Sequence, residues 1–301
     1  MSTYDLIISR VPITKGWSAD QKYRAAAADG RTYLLRISPP ERLEQVRREY
    51  GAMAAAAALD VPMCLPVEYG VSHEGIYSIH SWINGVDAED RIPLLPPSEQ
   101  YRYGMDAGRI LSKLHTIPAP DHATDWAERF NAKIDRKIAM YQQCGLKYEC
   151  GSQAFLDYLR ENRHLLNGRP QSFQHGDYHL GNMMVDSNGV LTIIDFDRHD
   201  YGDPWEEFNR IVWCAQAAPA FASGMVDGYF DGAVPLDFWR LLALYICSNT
   251  LSSLPWAVSF GEQEIRTMQA QAAQILEWYD GMRRVVPSWY GGFGLDSYRK
   301  T

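Results

Sequence analysis

The sequence predicts an α+β protein of two lobes: a small β-rich N-terminal lobe with one helix, then a larger, mainly helical C-terminal lobe. Three observations lead there. Strand-forming runs with hairpin signals fill the chain up to Trp82. From Ser98 onward, apolar residues recur at helical spacing. One stretch between the later helices, Phe173–Asp203, reverts to short strands. The expected boundary divides residues 1–83 from 84–301, and a chain of 301 residues has room for both lobes.

Asp5–Ile8 is short and apolar and reads as the first strand. Thr14–Asp20 follows as a loop with a single glycine, Gly16. Lys22–Ala28 and Arg31–Ile37 flank Asp29-Gly30, a dipeptide that accepts the positive φ of a tight turn, so they read as a hairpin. Pro39 and Pro40 end that strand. A helix is expected over Glu41–Leu59, with Val46, Tyr50, Met53 and Ala57 on one stripe. Glu49 lies on the same stripe. A carboxylate on an inward face needs a cation, and Arg36 on the preceding strand is the candidate. Val61–Gly70 reads as a connection plus a strand, and Gly75–Trp82 as another strand before Asn84-Gly85 breaks the pattern. Asp87–Pro97, with its acids and prolines, reads as a linker.

Ser98–His115 begins the helical part, with Tyr103, Ala107, Ile110, Leu111 and Leu114 on one stripe. Further helices are expected at Asp125–Gln143 and Ser152–Leu166, the second stopped by Asn167-Gly168-Arg169-Pro170. After Asp203-Pro204 come helices at Trp205–Ala217, Ala220–Phe230, Leu236–Ser253 and Glu262–Arg284.

Composition narrows the function. Hydrophobic residues make up 46% and charged residues 22%, as in a folded globular chain. No apolar run is long enough to cross a membrane, and the start MSTYDLIISR lacks the make-up of a signal peptide. Cys64, Cys144, Cys150, Cys214 and Cys247 are scattered and form no CxxC pair, which argues against a zinc site or disulfide framework and for a reducing cytoplasm. The net charge of −8 argues against a nucleic-acid partner and permits a cationic small molecule. Nothing in the sequence separates monomer from dimer.

The chemistry concentrates in Phe173–Asp203. Asp177 follows His175-Gly176, and Asn182 comes five positions later. That is the spacing of a phosphoryl-transfer loop, in which the Asp accepts the proton of an attacking hydroxyl and the Asn holds magnesium. A hairpin over Asn182–Asp186 and Val190–Asp195, turning at Ser187-Asn188-Gly189, would return Asp195 to the same place. Asp195 ends the apolar run VLTII and precedes Phe196, as the metal-binding Asp does in an Asp-Phe-Gly segment. The phosphates of a nucleotide carry several negative charges, so oxygen ligands must hold a hard cation against them. In such a lobe the Thr14–Asp20 loop would cover the phosphates, and the backbone of Ser81, Trp82 and Ile83 would face the adenine.

The carriers YLLRIS (33–38), RREY (47–50), SWINGV (81–86), ILSKLH (110–115), QHGDYHLGNMMV (174–185), IIDFDR (193–198) and GDPWEEF (202–208) resemble the aminoglycoside phosphotransferase family, within the protein-kinase-like fold that includes choline kinases. The resemblance spans nearly the whole chain. It implies residues 1–83 as the nucleotide-binding lobe and 84–301 as the lobe of the catalytic loop and acceptor-binding helices. It implies Asp177 as catalytic base, Asn182 and Asp195 as magnesium ligands, and Arg36, Glu49, Gly16 and Ser18 as holders of the phosphates of ATP or GTP. His175 and Asp203 would brace the loop. Arg36 stands where the family usually has Lys, with Lys22 or Lys15 as alternatives. Asp197 replaces the Gly of Asp-Phe-Gly and is either a further metal-site carboxylate or a structural one. His179, Glu206 and Glu207 are open candidates for the acceptor side, along with Asp227, Asp231, Glu262 and Asp280. The late aromatics Trp213, Tyr229, Trp239, Tyr245, Trp256, Trp278, Trp289 and Tyr290 are core or pocket walls. The implied acceptor is an aminoglycoside or another hydroxylated antibiotic, as in a resistance kinase. A metabolic kinase for choline, an amino alcohol or a sugar is the alternative, and a non-catalytic nucleotide-binding module a third possibility.

Overall fold

A computed structural model describes residues 2–14 and 20–291. In chain order the strands are β1 (Ile7–Ile13), β2 (Gln21–Ala27), β3 (Thr32–Ser38), β4 (Pro66–Ser72), β5 (Gly75–Ser81), β6 (Gly85–Asp87), β7 (Ser172–Gln174), β8 (Met183–Asp186), β9 (Leu191–Ile193) and β10 (Asp200–Gly202). The helices are α1 (Leu43–Ala57), α2 (Ala88–Arg91), α3 (Pro97–Leu114), α4 (Trp126–Gln143), α5 (Gln153–Asn162), α6 (Ile211–Ala217), α7 (Pro219–Phe230), α8 (Leu236–Ala257) and α9 (Glu262–Trp278). The chain is α+β, with an antiparallel sheet in its N-terminal part and a larger helical C-terminal part. It forms two compact units, the first through Arg91 with 181–199 added, the second 92–180 with the chain from Asp200 onward.

The first unit is built on a five-stranded antiparallel sheet of order β1-β2-β3-β5-β4. Alternation along β3 sends Tyr33, Leu35 and Ile37 into a cluster with Ala25, Ala27, Tyr77 and Ile79. The intervening Arg36 points to the other face. The β2–β3 turn has Gly30 at φ 82°, and the Asp29 carboxylate accepts from the Arg31 N–H. The first strand begins later than the sequence suggests: Tyr4–Leu6 is a 3₁₀ turn and β1 starts at Ile7. β1 is an edge strand whose apolar Ile8 and Val11 are 71% and 62% exposed, so its sequence carries no clean inward pattern.

The expected linker at 87–97 is partly structured. β6 pairs with β8, and β8 with β9, in a second small sheet. Gly85 is required by that pairing, since a Cβ there would sit 2.4 Å from the Val185 carbonyl oxygen. The Asp186 carboxylate accepts from the Asn188 and Val190 N–H groups, closing the β8–β9 turn. Cys64 N–H donates to the Ile193 carbonyl, and Ile193 N–H to that of Pro62. The segment that ends in Asp195 is therefore anchored on both sides.

The second unit is helical, with a two-stranded β7–β10 ladder. Contrary to the expectation from sequence, α8 is long and apolar enough to cross a membrane, but 67% of its most apolar window is buried inside the protein, as in a core helix. It runs past the expected end at Ser253 to Ala257, through Pro255. α9 stops at Trp278 rather than Arg284, because Asp280, Gly281 and Met282 take positive φ. α3 and α7 pack backbone to backbone. A Cβ on Gly104, Gly108, Gly224 or Gly228 would come within 2.1 to 2.3 Å of a carbonyl oxygen of the facing helix.

Candidate active site

In the first unit, Arg36 is buried and shared among three carboxylates. Its guanidinium lies 3.1 Å from Glu49, 2.8 Å from Asp20 and 2.7 Å from Asp197. The strand-to-helix pair with Glu49 is thus present. Lys22 stands opposite Arg36 in register on β2, and Lys15 lies outside the described residues, as do Gly16 and Ser18. Asp20 escaped notice in the sequence, yet it also accepts from Ser38 and pairs with Arg42. Burial pushes the Glu49 carboxyl above the ordinary carboxylate range, against the pull of Arg36. Burial acts the same way on Asp197, but there Arg36 wins and holds the carboxyl low. Ser81 N–H is already used, donating to the Leu65 carbonyl at 2.8 Å, which leaves Trp82 and Ile83 as the open stretch beyond β5.

Asp195 has a left-handed backbone, φ 66°. Its Oδ1 is buried with no hydrogen-bond donor. An orphaned carboxylate oxygen costs the desolvation of that group unless a cation or donor meets it. The Asn182 carbonyl accepts from Ile194 N–H at 3.0 Å, so the backbone of Asn182 lies beside the approach to Asp195. Among the described residues no three His, Cys, Asp or Glu side chains gather as a metal group. One carboxylate plus one amide is a sparse set, suited to a hard cation that keeps waters and takes its other ligands from substrate phosphates.

In the second unit, Asp177 is partly exposed, with Arg210 Nε 3.1 Å and His179 Nε2 3.6 Å from its Oδ1. Arg210 was not anticipated; it lies two residues beyond the GDPWEEF run, on the same 3₁₀ segment as Glu206 and Glu207. His175 is fully buried and its Nδ1 accepts from Asp177 N–H at 3.4 Å. Glu207 is buried and accepts from Gly176 N–H at 3.0 Å. It grips the loop backbone instead of facing an acceptor. Glu206 accepts from Lys133 at 3.1 Å and from Gln174 at 3.2 Å. Burial opposes its ionisation, but Lys133 and Lys137 hold its carboxyl below the ordinary range.

Asp203 is the anchor of this region. Fully buried, it accepts from Arg169 at 2.6 and 2.9 Å, from Tyr245 Oη at 2.6 Å and from Trp205 N–H at 3.0 Å. Trp126 Nε1 donates to that same Tyr245 oxygen, extending the chain of bonds to α4. Arg169 also lies over the Trp205 ring, 3.8 Å from its centroid. Asp203→Asn leaves Arg169 without its charge partner and is expected to cost about 3 kcal/mol. The urea midpoint checks this; an unchanged midpoint would mean the pair contributes nothing net.

Of the other acids considered for an acceptor grip, Asp227, Glu262 and Asp280 have partners, Asp280 in Arg283. Asp227 is buried and accepts from Tyr101 and Tyr290. Asp231 and Asp280 take left-handed backbone at helix ends. Glu262 pairs with Arg266 on an exposed first turn. Most of the late aromatics are core, Trp239, Tyr245 and Tyr290 among them. An open cavity of about 330 Å³ instead has Trp126 and Phe130 of α4 in its wall, with Arg129, Lys133 and Arg136 around them.

The family model described as "Phosphotransferase enzyme family" matches residues 9–241. Among curated proteins nothing matches. Solved structures with similar folds include a thermostable mutant of aminoglycoside phosphotransferase APH(4)-Ia in complex with ADP and hygromycin B, 17% identical over 88% of this chain and 92% of that one, TM-score 0.63. A Haemophilus somnus protein with the provisional name fructosamine-3-kinase is 14% identical over 90% of this chain and 92% of that one, TM-score 0.63. The gentamicin complex of APH(2")-IIa is 15% identical over 89% and 92%, TM-score 0.60. At these identities the likeness is one of fold.

Proposed function

We propose, since the chain belongs to the phosphotransferase enzyme family, that it moves the γ-phosphoryl group of ATP or GTP to a hydroxyl of a small molecule with the help of magnesium. Membership makes it a phosphotransferase, a small-molecule kinase with an alcohol as acceptor group. The single observation that carries the metal reading is the buried, donorless Oδ1 of Asp195. Asp195 and Asn182 would hold the ion; when bound, magnesium neutralises charge on the phosphates.

The chain's own residues divide the remaining work. Residues 1–83 are the nucleotide-binding part and 84–301 carry the catalytic loop and acceptor helices. Arg36, fixed by Glu49, together with Gly16 and Ser18, holds the phosphates. The backbone at Trp82 and Ile83 meets the base. Asp177 aligns the acceptor hydroxyl and takes its proton. Arg210 sets the orientation of that carboxylate, and His175, Glu207 and Asp203 keep the loop rigid. Positioning and electrostatics supply most of the rate.

Two acceptor classes fit the names of the relatives: hydroxylated antibiotics such as aminoglycosides, which would make this a resistance enzyme, and metabolic alcohols or sugars. The second is favoured, because Asp227, Glu207 and Glu262 have other partners while three cations and one carboxylate line the α4 cavity. The enzyme is placed in the cytoplasm, acting on a soluble small molecule, with neither nucleic acid nor membrane as partner.

The test is ADP or GDP release against a panel of acceptors with magnesium and with EDTA. EDTA is expected to stop release, and Asp195→Asn to lower it on the order of 100-fold at saturating magnesium. Full turnover in EDTA would remove the metal from the mechanism.

A further inference from the structure

We propose that the α4 cavity is the binding site for an anionic group of the acceptor, a carboxylate or a phosphate, held by Arg136 in its wall with Lys137 next to it on the helix. This rests on the kinase function proposed above and names the substrate class for it. The cavity has about 330 Å³ of space, enough for a small metabolite, between the rings of Trp126 and Phe130 and the charged ends of Arg129, Lys133, Arg136 and Asp200.

The ring pair forms a rigid floor, its two planes stacked with centroids 5.1 Å apart. Residues 129, 133 and 136 or 137 recur at helical spacing, so α4 turns one face of cations toward one region. Two of these are neutralised: Arg129 lies 3.5 Å from Asp200, and Lys133 lies 3.1 Å from Glu206. Arg136 and Lys137 make no ion pair with any described carboxylate. Lys137 is only partly exposed, and it feels Lys133, Arg136 and Arg210 as well as Glu206. Its surroundings include Arg210, whose Nε is 3.1 Å from the catalytic Asp177. Lys137 therefore feels both the cavity-wall cations Lys133 and Arg136 and the Arg210 that lies beside Asp177.

The charge count is decisive. The cavity wall carries Arg129, Lys133 and Arg136 against the single carboxylate of Asp200; with Arg129 paired to Asp200 and Lys133 to Glu206 outside the wall, Arg136 is the cation left over. Burial, then Lys133, pushes the Lys137 ammonium down to about 7, against the pull of Glu206. An ordinary solvated helix face would show ammonium groups in water or paired with carboxylates. A bound oxyanion supplies the missing charge. A polycationic acceptor would add to the excess.

The experiment uses the intact chain and four acceptors on one three-carbon skeleton: glycerate, glycerol 3-phosphate, glycerol and the amine serinol, with kanamycin added. ADP release at pH 7 with ATP and magnesium is measured for the native protein and for the Arg136→Ala/Lys137→Met double variant. One of the two anions is expected to exceed glycerol and serinol by roughly 10-fold or more in kcat/KM, chiefly through KM, and to lose that advantage in the variant. Whether glycerate or glycerol 3-phosphate leads distinguishes carboxylate from phosphate. Thermal stabilisation by the same compounds, without nucleotide and at matched ionic strength, reads binding apart from turnover. Anion stabilisation present in the native protein and absent in the variant supports the site even where no acceptor is phosphorylated, an outcome that counts against the kinase function alone. Turnover best with serinol or kanamycin, or anion stabilisation equal in both proteins, would overturn the anionic site and leave the kinase function standing.

Discussion

Asp177→Ala is expected to lower phosphoryl transfer on the order of 10³-fold while nucleotide binding survives. The side chain lost is the carboxylate proposed to receive the hydroxyl proton; His175 is buried with its Nδ1 accepting from the Asp177 N–H. The substitution also frees Arg210, whose Nε lies 3.1 Å from the carboxylate. Asp177→Asn separates the two effects, since it keeps the shape and loses the charge and the basicity. Both variants should bind ATP with native affinity by calorimetry. Retained turnover in either would remove Asp177 as the base.

Gly228→Val is expected to unfold the second unit. A Cβ at that position would lie 2.3 Å from the Met105 carbonyl oxygen and 2.7 Å from Met105 Cα, both backbone atoms that cannot turn aside. Gly104 meets the same obstacle against the Phe221 carbonyl, at 2.1 Å. α3 and α7 each carry glycines four residues apart, so the helices approach along flat strips, as small residues allow. A valine must force the helices apart over their whole contact. The expected cost is above about 4 kcal/mol, with a fall in Tm of roughly 10 °C or more, or no soluble protein at all. Gly51→Ala is the control. It sits within α1 with open space at its Cβ, and it should be neutral or stabilising by up to about 1 kcal/mol. Equal melting of Gly228→Val and the native protein would mean the helix pair has slack that its backbone distances deny.

The parts of the site that depend on local spacing were legible in the sequence. The HGD loop, Asn182 and the apolar strand ending in Asp195 lie within one short stretch, and Glu49 betrayed itself as an acid on an apolar stripe. Asp20 and Arg42 were not legible. Asp20 meets Arg36 and Arg42 meets Asp20 only once the strands and the start of α1 come together, and nothing local marks Asp20 as buried. β1 was misplaced because an edge strand with solvated Ile8 and Val11 lacks an inward face to reveal. The acceptor side is less legible for a different reason. Net charge averages over the whole surface, whereas the charge that a substrate meets is local. The sequence total of −8 permitted a cationic partner, yet α4 concentrates Arg129, Lys133, Arg136 and Lys137 on one helix. Asp227 and Glu207 looked like available acids and are instead internal hydrogen-bond acceptors. The glycine strips on α3 and α7 were visible as a four-residue repeat in each helix, but only the facing helix gives that repeat its meaning.

The measurement that tests the central claim most directly is phosphorus NMR of a reaction containing the native protein, ATP, magnesium and the acceptor panel. A new phosphomonoester resonance on the acceptor, appearing together with ADP and absent with Asp177→Ala, is the predicted result. ADP and free inorganic phosphate with no phosphorylated acceptor, at the same rate with and without every acceptor, would contradict transfer to a small-molecule hydroxyl.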